Sequence, residues 1–401
     1  VKKNIVIAGT ALATVLATAP AFAADPIKLS VGGFGGVMVG YASQDDDYLT
    51  ATGTEVTGVD VKGNNEIHFT GSTTLDNGLT VSVLYELESG GRNSTTDVAD
   101  AYQITLSGGF GTLWAGANGT ALSAIAVGAP SVGDLEEGDV ADGLYVLIPN
   151  SANFTLVDAA FINTSGDSES LTYISPAIAG FTFGASYVPD LYGDDNPNQP
   201  SLAAGVTPGN ANGSNEAYGA GLTWSGEFGG VGITAQGGYL WADNGPNTVG
   251  ITGATSYAAA HEEWQAGAQI TYAGFAFGGS YRDIDQEMKA VSGSTLAGLG
   301  VREDLDGQAW TLGASYTTGP YAASLSYLES SMENTGVTVS DDELKVWELA
   351  GTYAMGPGVD LIGIVSYAEF ENGTAAGSTI AAVNSNKNSG FSVATGLSLS
   401  F

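Results

Sequence analysis

The chain has 401 residues and no cysteine, and its 10 Lys and Arg stand against 43 Asp and Glu, a formal net charge of −33. That balance argues against nucleic acid, which requires a basic face, and against electrostatic docking on an anionic lipid surface. Fourteen Phe, six Trp and eighteen Tyr in ordered patterns argue against the disorder that strong acidity can bring, and 59 Gly without a G-X-Y period exclude collagen.

In chain order, Lys2 and Lys3 come first, then an apolar run from Ile5 to Ala19, Pro20, and Ala21-Phe22-Ala23. A basic start, a short apolar stretch and an A-x-A site predict a secretory signal peptide over 1–23 and a mature chain over 24–401. The run is also short for a membrane helix. Losing Lys2 and Lys3 would take the net charge from −33 to −35. An exported chain with no cysteine relies on no disulfide, although its compartment would permit one.

Beyond residue 24 the dominant signal is a period of two. In LTVSVLYEL (79–87), Leu79, Val81, Val83, Tyr85 and Leu87 fall on one face, and Thr80, Ser82 and Glu86 on the other. FTFGASY (181–187), 231–241, 264–272, 321–327 and the C-terminal GFSVATGLSLSF (390–401) alternate in the same way. One apolar face at that period means strands with one side away from water. Strands are predicted at 27–43, 64–75, 79–88, 98–107, 112–117, 169–176, 181–189, 215–225, 231–241, 259–272, 275–285, 306–318, 321–333, 341–355, 359–370 and 389–401. The strand at 359–370 is the least regular, because Ile362 and Ile364 interrupt its polar face.

A soluble β-sandwich alternates too. Two features favour a barrel in a membrane. Aromatics gather at strand ends, among them Tyr41, Phe181, Tyr187, Tyr239, Tyr281, Tyr316, Tyr327, Tyr353, Tyr367 and Phe401. Connections alternate between short ones, at 76–78, 108–111, 177–180, 226–230, 273–274, 319–320 and 356–358, and long ones, at 44–63, 89–97, 118–168, 190–214, 242–258, 286–305, 334–340 and 371–388. The fold class is therefore all-β, a sixteen-stranded antiparallel transmembrane β-barrel with short periplasmic turns and long outer loops. Sixteen strands leave an aqueous lumen.

The block SLTYISPAIAGFTFGASY (170–187), the stretch NGLTVSVLYELES (77–89) and the terminal Phe401 resemble the Gram-negative general porins, especially the acidic porins of alphaproteobacterial type. Over the whole mature chain the resemblance implies a homotrimer of sixteen-stranded barrels in the outer membrane. It implies a third long loop, here 118–168, that folds inward and narrows the pore. It also implies that a final strand ending in Phe is read by the outer-membrane insertion machinery, making Phe401 an assembly signal. An apolar edge strand can be recognised by strand addition. The plainer reading of Phe401, an interfacial girdle residue, is compatible with that role.

Selectivity in such pores comes from width and lining charge. The third loop carries Asp134, Glu136, Glu137, Asp139 and Asp142 in GDLEEGDVAD, candidate constriction acids against the alternative of a solvated loop tip. Carboxylates held at a constriction concentrate cations and repel anions. Similar porins face this loop with clustered arginines, and here the chain departs from them. Arg282 has the parity of the polar face, Arg92 lies just beyond the third strand, and Glu66, His68, Glu86 and Glu348 share lumen parity. Phe34 and Trp114 have ambiguous parity.

These residues predict a passive, cation-preferring diffusion channel for small hydrophilic solutes and ions. The alternatives are a solute-selective porin, or a non-conducting adhesive or structural barrel. Acidic clusters such as Asp45-Asp46-Asp47 and Asp341-Asp342 raise calcium as a ligand, but none matches an EF-hand loop. No cofactor is expected. His68 and His261 sit in no metal motif, and neither G-x-S-x-G nor H-E-x-x-H occurs, so no enzyme is expected. The partners are outer-membrane lipid and lipopolysaccharide, small solutes, the insertion machinery and further copies of the chain, with no nucleic acid.

Overall fold

The computed structural model describes residues 26–88, 101–133, 145–149, 160–164, 168–189, 215–247, 257–290, 306–333, 340–374 and 378–401. The segment 1–23, Arg92, and Asp134, Glu136, Glu137, Asp139 and Asp142 lie outside them. Sixteen strands run in chain order around a closed antiparallel barrel, and the first pairs with the last. They are β1 (Lys28–Ala42), β2 (Val59–Thr74), β3 (Thr80–Glu88), β4 (Ala101–Gly108), β5 (Gly111–Ala117), β6 (Ser170–Ile174), β7 (Phe181–Val188), β8 (Asn215–Phe228), β9 (Val231–Asn247), β10 (Tyr257–Tyr272), β11 (Phe275–Ala290), β12 (Gly307–Thr318), β13 (Tyr321–Met332), β14 (Asp342–Gly356), β15 (Val359–Glu371) and β16 (Lys387–Ser400). Among the described residues, three short helices lie in connections: α1 (Asp46–Thr52), α2 (Ala121–Ala124) and α3 (Ile380–Ser385).

The period of two sorts the side chains in the reverse of a soluble protein. Val37, Val39, Leu325, Leu349, Val365 and Leu397 are exposed on the outside, whereas Ser324, Ser326, Ser366 and Ser392 are buried inside. Large apolar groups left outward by a closed sheet belong in hydrocarbon, where only a fully paired backbone is tolerated. Leu325, Leu349 and Val365 sit side by side on neighbouring strands, and Val365 in turn pairs with Val393. They make a continuous apolar band.

Aromatic rings border that band at both ends. Near the short turns Phe275 packs on Tyr316, centroids 4.3 Å apart, and Tyr321 stacks on Tyr353 at 5.1 Å. Near the long loops Trp310, Tyr327 and Trp347 form a row, with Tyr327 4.3 Å from Trp347. There the phenols point at carboxylates. Tyr239 donates to Glu262 at 2.7 Å, Tyr327 to Glu329 at 2.8 Å and Tyr367 to Glu369 at 2.9 Å. Each ring keeps its apolar body in the band and its hydroxyl among charges, as an amphipathic interface requires.

The seam between β1 and β16 runs from Ala42–Ser392 to Phe34–Ser400, and the last residue extends it. Phe401 N–H donates to Gly33 C=O at 3.1 Å, and Gly33 N–H donates to Phe401 C=O at 3.0 Å. Gly33 adopts φ +147°, and a Cβ there would stand 2.2 Å from the Glu66 carbonyl oxygen. The conformation and the close approach to β2 explain this glycine.

Several strand ends differ from the sequence reading. β2 begins at Val59 rather than 64, and the turn expected at 226–230 narrows to Gly229-Gly230, with φ 59° and 85°. β9 and β11 reach Asn247 and Ala290. Alternation fades where strands leave the apolar band, but the backbone ladder continues into water without it. Asp45 caps α1 by accepting from Asp47 N–H at 2.8 Å, and Asp342 accepts from Gly373 N–H at 2.8 Å. One acid of each of these two clusters thus accepts from a backbone N–H.

Leu349→Arg is expected to cost about 2–4 kcal/mol in lipid, while Thr352→Arg, on the inner face of the same strand, leaves stability nearly unchanged. Denaturant unfolding in vesicles measures both.

Candidate functional site

After β5 the chain turns into the barrel. The segment 118–133 runs along the inner wall, meeting the strands in order from β6 towards β15. Its backbone is served by wall side chains. Ala121 N–H donates to Ser186 Oγ at 2.7 Å, Thr223 Oγ1 donates to Ile125 C=O at 3.1 Å, and Ser326 Oγ donates to Pro130 C=O at 3.2 Å. Val132 N–H donates to Ser324 Oγ at 3.0 Å, and Ser131 Oγ donates to Glu348 Oε1 at 2.8 Å. Loop backbone removed from bulk water needs such partners. Much of the small polar inner face is therefore scaffold for the loop as well as lining for the lumen.

Two apolar platforms hold the same loop. Leu122 and Ile162 pack with Val188, Ala217, Leu240 and Ala242. Val132, Tyr145 and Val146 pack against Ile362, Ile364, Ala350 and Met38. The second platform explains why Ile362 and Ile364 break the polar pattern of β15. Each fully buried Leu or Ile side chain stabilises by roughly 1.5–3 kcal/mol.

The returning limb, 160–164, is fixed by a buried polar cluster on β10 and β11. Arg282 Nε donates to Glu263 Oε2 at 2.6 Å, while its Nη1 reaches Asn163 Oδ1 at 2.7 Å and its Nη2 reaches Thr164 Oγ1 at 2.5 Å. Thr164 also donates to Glu263, and His261 Nε2 lies 2.5 Å from the same carboxylate. Gln265 ties both limbs together: its Oε1 accepts from Ile162 N–H at 2.5 Å, and its Nε2 donates to Leu122 C=O at 3.1 Å. Burial strips these groups of water, so each charge must be paired and hydrogen-bonded.

Tyr145 crosses to the opposite wall. Its hydroxyl donates to Met38 C=O at 3.3 Å, and Lys62 Nζ stands 4.6 Å over its ring. Burial and the charge of nearby Asp60 push its phenol above the ordinary value, so it stays neutral in physiological water.

The residues singled out in the sequence separate into two groups. Arg282 and Glu348 face inward but are 5% and 1% exposed, covered by the loop. Glu66, His68 and Glu86 face inward on β2 and β3 and stay partly open, with side chains 15%, 26% and 16% exposed. Phe34 also turns inward, edge-on to His68 with centroids 5.9 Å apart. Trp114 is buried opposite Thr105 and Thr172, so its ring is no platform for a passing solute. His261 is buried. Sequence reasoning passed over Glu263 and Gln265. Their signal was present: with His261 they put three large polar side chains at i, i+2 and i+4 on one inner face.

A model of the Gram-negative porin family matches residues 8–375. The chain belongs to that family. This porin is a passive channel of the outer membrane. It shares its fold with an anion-selective porin from Comamonas acidovorans (15% identity, 94% of this chain and 100% of that one, TM-score 0.58). A loop L8 deletion mutant of OmpT, an outer membrane protein of Vibrio cholerae, is similar at 15% identity, 94% and 100% coverage and TM-score 0.56. A mutant of the Rh. blastica porin is similar at 16%, 93% and 100%, with TM-score 0.53. Among curated proteins, none matches by sequence.

Arg282→Ala takes the guanidinium from Glu263 in a dry site, leaving it only His261 and Thr164, and releases Asn163. It should cost about 3 kcal/mol of folding stability and raise open-channel current noise, read by denaturant unfolding and single-channel recording.

Proposed function

We propose that this porin is a cation-preferring diffusion channel for small hydrophilic solutes and ions, with no catalytic step. One observation carries the reading. The described loop covers Arg282, the best basic wall candidate, which pairs with Glu263 of the neighbouring strand, while Glu66 and Glu86 stay partly open to the lumen. The field felt by a passing ion is then set by carboxylates. The acids Asp134, Glu136, Glu137, Asp139 and Asp142 follow Gly133, which packs on Ala350 and Ile364 of the inner wall, and we assign them to the constriction. Fold alone does not fix selectivity: the Comamonas acidovorans protein with this fold is anion-selective. The sign must come from the side chains, and here they are acidic.

Three partners complete the proposal. An OmpT structure is of a trimer form, and a homotrimer is the assembly we assign to this chain. Phe401 serves as assembly signal: its backbone closes the barrel and its side chain is 71% exposed. The outer belt of Tyr–carboxylate pairs meets lipopolysaccharide headgroups. Sugar-specific pores use aromatic faces along the lumen; of Phe34 and Trp114, Trp114 is buried and Phe34 alone stands beside the partly open wall, so a sugar-specific pore is disfavoured.

Reconstitution in a planar bilayer under a KCl gradient tests the proposal. Large unitary steps and a reversal potential close to the potassium limit are expected. Changing the five loop acids to Asn and Gln should move that potential towards zero. No conductance from a folded barrel would sink the channel reading, and a chloride-directed potential would sink the cation preference.

A further inference from the structure

Glu66 and His68 stand two residues apart on the inner face of β2. Across the ladder, His68 faces Glu86 and Glu66 faces Glu88 on β3. Two carboxylates, Glu66 and Glu86, therefore flank one imidazole, and Glu88 stands opposite Glu66 in the ladder. Like charges directly opposite each other on paired strands destabilise a sheet, and a bound cation would relieve that. His68 Nε2 lies 2.8 Å from Glu66 Oε2 and 3.8 Å from Glu86 Oε1, and the three donor atoms all fall within 4.8 Å of one another.

We propose that Glu66, His68 and Glu86 form a binding site for a borderline divalent metal ion of the Zn2+ class on the lumen wall. A tetrahedral ion with bonds of about 2.0–2.2 Å needs donor atoms roughly 3.3–3.5 Å apart. The two observed separations bracket that value, so small side-chain rotations on fixed strands are enough. The edge of Phe34 holds the His68 ring. All three side chains keep access to the lumen, which gives the ion a way in and leaves its fourth position to water. An imidazole nitrogen with carboxylates suits Zn2+, Ni2+ or Co2+ better than Mg2+ or Ca2+, which take oxygen ligands. The ligands come from two strands, so no linear motif announces them. The site rests on barrel geometry alone and stands whether or not the barrel conducts.

Calorimetric titration of ZnCl2 into the folded, EDTA-stripped protein in detergent tests the site. One saturable Zn2+ site per chain is expected, absent with Mg2+. His68→Gln and Glu86→Gln should each weaken it by at least about tenfold, the lower end of what loss of even an outer-shell partner costs. Both changes face the lumen, and heat-modifiable gel migration confirms folding. Where unitary currents are seen, Zn2+ should reduce them in the wild type and not in His68→Gln. Equal binding of Zn2+ and Mg2+ would assign the effect to the diffuse acidic surface and overturn the site. Unchanged Zn2+ affinity in either variant would overturn it too, leaving His68 as a plain ion-pair partner of its neighbours.

Discussion

A sheet that enters lipid can leave no backbone amide unpaired, and this chain meets that constraint at the seam where β1 pairs with β16, extended by the Gly33–Phe401 bonds. Everything else follows from closure. With no edge exposed, the outer face must be apolar and the inner face must take the polar residues. Sixteen strands enclose more space than side chains can fill. The segment after β5 enters that space, and its own backbone then raises the pairing problem a second time, inside the barrel. Ser186, Thr223, Ser324, Ser326 and Gln265 meet it.

The inward charges divide by their access to water. Glu263, Arg282 and His261 are desolvated beneath the loop, mutually paired, and act on position rather than on passing ions. A buried pair of this kind is weak as a source of stability but costly to break, which suits a latch. Glu66, His68 and Glu86 keep partial access to water, and in the proposed cation-preferring channel they are the groups that meet solute charge. An arginine that sequence parity assigns to the pore wall is thus buried beneath the loop and paired with Glu263.

The barrel itself was legible in the sequence. Alternation in stretches such as 79–87 and 390–401 carried the strands, their faces and the order of loops. The ends were less clear, because β2, β9 and β11 extend past their apolar band, where only backbone pairing holds them. Parity placed Glu66, His68 and Glu86 inward but could not pair His68 with Glu86, since that depends on register between strands. Ile362 and Ile364 looked like defects in β15. They are the landing surface for Val132, Tyr145 and Val146, a purpose visible only once the loop is inside. The roles of Glu263 and Gln265 depend on Ile162 and Thr164, about a hundred residues away.

The account stands on the loop lying against the inner wall. The chain lacks cysteine, so a designed pair reports on this cleanly. A Cβ built on Gly313 falls 3.0 Å from Ala129 Cβ, slightly inside the separation a disulfide spans. The double variant Ala129→Cys and Gly313→Cys, extracted from outer membranes and run on a non-reducing gel, should form an internal cross-link in nearly every folded chain. Two thiols that stay free, and that react independently with a membrane-impermeant maleimide, would contradict the inward loop and the division of charges built on it.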